Sequence, residues 1–264
     1  MKNSGITAIA LTLIVTFGVV LVGAQEATPV ATPKPCVLLF SKTAAFRHES
    51  IPDGVKCVTE ILAPAVEVVA TEDSAAFNLE NLKRFRGVVF LSTTGDVLNA
   101  EQQVAFQSFI EEGGGFAGIH AASDTEYEWP WFAELIGAHF AGHPDVQSAK
   151  ITVEDHSHAS TAMLPKVWQR TDEWYRFNRN PRTVAGIHVL ATLDESTYSG
   201  GGMGADHPCV WWRTMGKGRA WYTAGGHTKA SFAEPLFRQH LKAGILWSAN
   251  LQPSRAQATA PSGH

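Results

Sequence analysis

The sequence predicts an α/β domain: a mostly parallel sheet with helices on both faces and an elaborated, strand-rich second half. Three observations carry this. Short apolar runs alternate with helical patterns through the first 120 residues. An amphipathic stretch, residues 99–112, passes through three glycines into the apolar run 116–119. Beyond about residue 145 the pattern shifts to short runs rich in Val, Trp and Thr.

Residues 37–41 read as a strand, 51–62 as a helix, 66–70 as a strand, 79–85 as a short helix and 87–92 as a strand. Asn99 with Gln102 three residues on makes a capping box, and Val104, Ala105, Phe109 and Ile110 give that helix its apolar side. Gly113, Gly114 and Gly115 stop it, and residues 116–120 suit a strand buried on both faces. Such strand–helix alternation implies right-handed crossovers. Residues 149–154, 188–194, 208–213 and 219–223 follow as strands. Residues 231–248 carry Phe232, Leu236, Phe237, His240, Leu241 and Ile245 at helical spacing and close the domain. No internal repeat interrupts this single-domain pattern.

With 264 residues and 45% hydrophobic content, the chain can bury a sizeable core. A formal net charge of −4 with no Lys/Arg cluster gives no footprint for nucleic acid or anionic membrane. Residues 1–24 read as a signal peptide: Lys2, an apolar run over 6–22, and Val22-Gly23-Ala24 before Gln25 as a cleavage site. The run is near membrane-spanning length, so an uncleaved anchor stays open. Either outcome puts the folded part outside the cytoplasm, secreted or periplasmic, with no stable membrane insertion if the signal is cleaved. Residues 25–35 form a Pro/Thr/Ala-rich linker, 36–250 the folded domain, and 251–264 a disordered polar tail. Cys36 and Cys57 could bridge in an oxidising compartment, whereas Cys209 reads as a buried thiol. No CxxC spacing exists.

Histidine is the unusual feature, with 11 in the chain. His120 falls at the carboxyl end of a predicted strand, where open α/β sheets place their ligands. His139 and His143 are four apart and would share a helix face, but Gly142 and Pro144 argue for a loop. A three-histidine zinc centre with an open fourth position could be drawn from His120, His143, His207 and His227. The plain alternative is that each histidine satisfies neighbouring polar groups. Asp124 and Glu126 follow His120 closely, and paired carboxyls serve glycoside chemistry. Asp124 could instead cap a helix or, the favoured role, orient His120 as an acceptor. Asp172, Glu173 and Asp206 are further carboxylates.

Arg47 and His48 follow the first strand and could contact substrate. Trp129, Trp131, Trp174 and Tyr175 lie in loop-like contexts and could wall a sugar cleft, with core packing as the alternative. The glycine-rich run 200–204 reads as a flexible loop without a phosphate-binding context, so no nucleotide cofactor is expected.

The segments KTAAFRHESI (42–51), LSTTGDVLNAEQQVAFQSFIEEGGGFAGIHAASDTEYEWPWF (91–132), AHFAGHP (138–144), DEWYRF (172–177), VLATLDESTY (189–198), DHPCVWW (206–212) and GGHTKASFAEP (225–235) together resemble the ThuA-like (trehalose-utilisation) family. The resemblance covers roughly residues 36–250. It implies the class I glutamine amidotransferase-like fold, a flavodoxin-like doubly wound sheet. It also implies a turn after the fourth strand where amidotransferases keep a cysteine, with a later histidine and glutamate. Here that turn reads Gly118-Ile119-His120-Ala121-Ala122, while His227 and Glu234 fall near the partner positions. Imidazole does not replace a thiolate in thioester chemistry, so glutamine hydrolysis is not expected.

The resemblance points instead to carbohydrate catabolism. The expected function is an exported carbohydrate-processing hydrolase, lyase or isomerase acting on a disaccharide, glycoside or keto-sugar. His120, Asp124 and His227 are its expected catalytic residues, and a divalent metal such as zinc is its cofactor. A non-catalytic carbohydrate-binding or accessory module on the same fold is the alternative.

Overall fold

The computed structural model describes Met1 and residues 33–251. The expected signal peptide, most of the linker and the tail lie outside these residues. The chain divides into two units, Met1–Pro33 and Lys34–His264, and every element below belongs to the second. No helix among the described residues is long and apolar enough to cross a membrane.

The first half follows the expected alternation. Strand β1 (Cys36–Phe40) leads to α1 (Ile51–Leu62), β2 (Glu67–Thr71), the single turn α2 (Leu79–Leu82), β3 (Gly87–Leu91), α3 (Ala100–Glu111) and β4 (Gly115–Ile119). Asn99 caps α3 with the full box: its side chain accepts from the Gln102 N–H, and Gln102 returns a contact to the Asn99 N–H. Helix α4 (Pro130–Ile136) and the short strand β5 (Phe140–Gly142) come next. They are followed by β6 (Gln147–Val153), β7 (Val167–Asp172), β8 (Arg176–Phe177), β9 (His188–Asp194), β10 (Pro208–Met215), β11 (Gly218–Thr223) and α5 (Pro235–Ser248).

Nine strands form one sheet in the order β2-β1-β3-β4-β11-β10-β9-β6-β7, while β5 and β8 pair separately. The first five run parallel, in a doubly wound order whose direction reverses between β1 and β3. The remaining four alternate antiparallel. Two reversals separate β11 from β9 and two more separate β9 from β7, so β4, β11, β9 and β7 all point their carboxyl ends to one edge. The sheet curls, because Trp168 and Arg170 on its last strand bond Glu234, just ahead of α5.

Successive residues of β4 show why both faces are covered. Phe116 packs with Phe106 and Phe132 of α3 and α4, ring centroids 5.9 Å away in each case. Gly115 faces the other way, against the Ser248 carbonyl at the end of α5. Only a hydrogen fits between that strand and that helix end. On the α3 side, Phe90 stacks on Phe106 at 5.4 Å and on Phe132 at 5.8 Å, making an aromatic layer.

Some elements differ from the sequence expectation. Helix α5 starts at Pro235, after a separate 3-10 turn over Ser231–Ala233, because proline suits the first helical turn where no N–H is needed. Strand β7 was not anticipated. It alternates exposed and buried residues, but Arg170 and Asp172 occupy its buried face and hide the apolar period. The run 200–204 is not loose: the Glu195 carboxylate accepts the backbone N–H groups of Gly202, Met203 and Gly204. All three cysteines are free thiols, so the Cys36–Cys57 bridge is not formed.

Gly115→Ala should push a methyl into the Ser248 backbone, which cannot rotate aside. The expected cost is about 1–3 kcal/mol, read as a melting temperature lower by roughly 2–4 °C per kcal/mol.

Candidate functional site

The carboxyl edge of the sheet gathers a histidine–carboxylate cluster from four segments. His48 lies in the connection after β1, His120 directly after β4, Glu173 directly after β7 and His227 in the turn after β11. His120 has φ +52, a left-handed conformation costly for a non-glycine residue. The chain thus turns sharply from strand into the 3-10 segment His120–Ser123 and aims the fully buried imidazole at the edge.

Each neighbour distance fits a shared centre. His120 Nδ1 lies 2.8 Å from the Ala224 carbonyl, which can only accept, so Nδ1 carries the proton and Nε2 presents its lone pair. That Nε2 sits 3.2 Å from His48 Nε2 and 3.5 Å from Glu173 Oε2. Glu173 Oε2 is 3.1 Å from His227 Nδ1, an ion-pair approach without hydrogen-bond alignment. One ligand atom from each of the four residues lies within 4.8 Å of the others, so the group could hold a metal ion. His48 Nδ1 is buried without a hydrogen-bond partner, and His227 Nδ1 is likewise unsatisfied. Ring nitrogens that face one another without hydrogen-bond partners would offer their lone pairs to a cation.

Electrostatics push in the same direction. Burial, reinforced by the neighbouring His120 and His227 rings, lowers the His48 pKa to about 3, so His48 stays neutral. Burial alone would raise the Glu173 carboxyl, but the close His120 and His227 rings outweigh it and hold Glu173 ionised well below the usual range. Glu173 in turn raises His227, against its partial burial. His143, on the loop after β5, reaches the second oxygen, Oε1, at 3.0 Å.

The cluster opens into a cavity of two lobes. The inner lobe, about 320 Å³, is walled by Phe46, Asp124, Phe140, His143 and Tyr175 beside the cluster. The outer, about 530 Å³, shares Phe46, His48 and His227 and adds Val146 and Lys229. The Tyr175 ring lies over His120 at 4.2 Å.

A fully buried carboxylate holds the cluster in place. Asp172 accepts from the N–H groups of Gly226 (2.8 Å), His227 (3.0 Å) and Glu173 (3.0 Å) and from the Ser231 hydroxyl (3.0 Å). Arg170 pairs with it at 3.0 Å, bonds Glu234 at 2.9 Å and stacks over Phe237 at 4.1 Å.

Other sequence candidates are placed elsewhere. His207 is fully buried and spends Nδ1 on Glu195 and Nε2 on the Tyr175 carbonyl, so it supports Tyr175 and stands outside the four-residue cluster. His143 also stands outside it: its Nδ1 lies 3.0 Å from both Glu173 Oε1 and the Pro144 carbonyl. Asp124 does not orient His120, whose Nδ1 is taken by Ala224. Glu126 is buried and bonds the Val97 and Leu98 N–H groups and Gln103. Glu234 bonds Trp168 and Arg170, while His227 turns to Glu173, so a His227–Glu234 relay is not formed.

Among the aromatic candidates, only Tyr175 lines the cavity. Trp129 and Trp131 stack on each other at 5.0 Å against α3, and Trp174 is buried with its N–H on the Gln147 carbonyl. Arg47 points away to an exposed pair with Glu72, worth little. The missed member is Glu173, masked in the sequence by Asp172 beside it. Its signal is position, at the end of a strand whose carboxyl end shares the edge with β4 and β11.

Asp172→Ala should cost about 3–5 kcal/mol in urea unfolding, since it leaves the buried Arg170 charge with Glu234 as its remaining ion-pair partner and frees three backbone N–H groups. The fold should also weaken in acid. His48 and His240 hold pKa values of about 3 and His158 about 4, all lowered first by burial, against 6.5 for an ordinary histidine. Their stability contribution is complete above about pH 6.5 and is lost as pH falls toward those values. His227, Asp124 and Glu126, whose pKa values are raised, act oppositely, while His139 and His207, lowered by burial, add to the loss in acid. Urea titrations from pH 7 to pH 4 should show falling stability, and His240→Gln should reduce the slope by one proton.

The trehalose-utilisation (ThuA) family profile matches residues 36–248. No curated protein sequence matches the chain. Among solved structures, a ThuA-like protein from Bacteroides uniformis is 23% identical with a TM-score of 0.72, covering 85% of this chain and 95% of that one. A ThuA-like protein from Parabacteroides merdae is 20% identical with a TM-score of 0.70, covering 87% and 94%. A β-galactosidase from Bacillus circulans sp. alkalophilus is 11% identical with a TM-score of 0.54, over 83% of this chain but 32% of that one. At these identities the likeness is one of fold. On the family match over residues 36–248, the chain belongs to the trehalose-utilisation family.

Proposed function

We propose that this protein is an exported, divalent-metal-dependent enzyme that processes a carbohydrate, as a hydrolase, lyase or isomerase of a glycoside or keto-sugar. His48, His120, Glu173 and His227 hold the ion. The observation that carries the reading is the spacing of their atoms. A tetrahedral centre with bonds of ~2.0–2.1 Å puts neighbouring ligand atoms about 3.3 Å apart. Three of the six separations are close to this, 3.2 Å for His48–His120, 3.1 Å for Glu173–His227 and 3.5 Å for His120–Glu173, and all four atoms lie within 4.8 Å of one another, a spread that a bound ion would draw in.

Three imidazoles and one carboxylate suit zinc among the borderline divalent ions. Such an ion, when bound, polarises a carbonyl or hydroxyl oxygen. Around it, His143 steadies Glu173 through Oε1, Tyr175 covers one face of His120, and Phe46 and Phe140 offer apolar faces to sugar C–H groups. A sugar substrate is supported by the family's description, trehalose utilisation. Export is supported by the apolar run 6–22 and the small residues before Gln25. The histidine in the turn that amidotransferases reserve for cysteine supports a chemistry other than glutamine hydrolysis.

Elemental analysis of the untagged protein tests this. One equivalent of zinc or another divalent ion is expected, absent from His120→Ala and Glu173→Gln. His143→Ala should keep the ion with affinity weakened about 10–100-fold, as for an outer partner. Added ion at 100 times its Kd should raise stability by about 2.7 kcal/mol. No uptake from a solution of saturating zinc, manganese or iron would overturn the reading.

A further inference from the structure

The inner lobe holds two carboxyl side chains, Asp124 and Glu173. Glu173 is taken up by His120, His227 and His143. Asp124 is not. Its backbone is fixed on both sides, the N–H donating to the Ala121 carbonyl and the carbonyl accepting from the Gly95 N–H, each at 2.8 Å. One carboxyl oxygen, Oδ1, accepts the Tyr127 hydroxyl at 2.6 Å. The other, Oδ2, takes no hydrogen bond from the described residues, and the side chain lines the cavity. The carboxyl is thus held in one orientation with one oxygen left for a ligand. Burial raises its pKa, which makes it a better proton acceptor than an exposed aspartate.

The surroundings also narrow the chemistry. Two independent carboxyls are needed to hydrolyse a glycosidic bond directly. Glu126 is spent on backbone N–H groups and Glu173 on histidines, so Asp124 stands alone. A single free carboxylate beside a centre that favours charge on oxygen matches proton transfer at carbon next to a carbonyl.

We infer that Asp124 is the proton-transfer residue of this site, acting on the carbon beside the ketone of a keto-sugar held in the inner lobe. Oδ2 takes the proton, the C–H electron pair moves into the bond toward the carbonyl carbon, and the carbonyl pair moves onto oxygen. The enolate and the carboxylic acid so formed return the proton to carbon, with no oxidant or reductant required. This rests on the metal-centred carbohydrate reading above.

The test follows deuterium uptake from D2O by proton NMR, using metal-loaded full-length protein. The probe is methyl 3-keto-glucopyranoside, whose blocked anomeric carbon prevents ring opening and whose ketone has C–H groups on both sides. Wild type should accelerate exchange beyond the protein-free rate. Asp124→Asn, nearly identical in shape, should slow the catalysed exchange at least about 100-fold, with metal content and melting temperature unchanged. Exchange by Asp124→Asn at the wild-type rate overturns the assignment of Asp124 and leaves the metal centre standing. A metal-loaded wild type that exchanges nothing overturns the inference with the metal centre again intact. A protein that binds no metal removes both.

Discussion

The Asp172 carboxylate is the interaction on which the site depends. It lies at the end of β7, the last strand of the sheet order, yet it accepts N–H groups from the turn after β11, four places away in that order. That contact is available only because the sheet curls, and it locks the curl. Through one buried group the fold places two cluster members, since Asp172 fixes the backbone of both Glu173 and His227. A buried carboxylate is costly unless its charge and lone pairs are met. Arg170, itself packed over Phe237 and tied to Glu234, meets the charge, and four donors meet the oxygens.

The turn after β4 combines a strained backbone with a buried imidazole. A left-handed φ at a β-carbon-bearing residue persists only where the surroundings over-determine it. Here the Ala224 carbonyl grips Nδ1, Tyr175 covers the ring and His48 faces Nε2. An imidazole with Nδ1–H pinned to a carbonyl acts through the Nε2 lone pair, as a base or a ligand. With His48 held neutral and Glu173 held ionised, the pocket sets an uncharged imidazole and a carboxylate side by side, with His227 as the ring that the carboxylate favours in its charged form.

Much of the fold was legible in the sequence. The first four strands, the capped helix α3 and the late closing helix follow from local periodicity and capping, which report on neighbours in sequence. The family resemblance, the position of His120 at a strand end and the presence of His48 and His227 near other strand ends were legible too. Strand β7 was not, because its buried face carries Arg170 and Asp172 and pattern reading treats charge as exposed. His207 illustrates the opposite error. A motif histidine beside an aspartate looks like a ligand, but it packs under Tyr175 with both ring nitrogens occupied.

The sequence alone determined the doubly wound half, the sharp turn and the residue types at the strand ends. Tertiary structure decided which of them meet. His120 contacts His48 from 72 residues earlier and Ala224 from 104 residues later, and Glu173 arrives on a strand paired at the far side of the sheet. Periodicity carries the direction of a side chain within its own element. It carries nothing about the curl that returns β7 to β11, because that curl is set by long-range hydrogen bonds and by packing of Arg170 against α5.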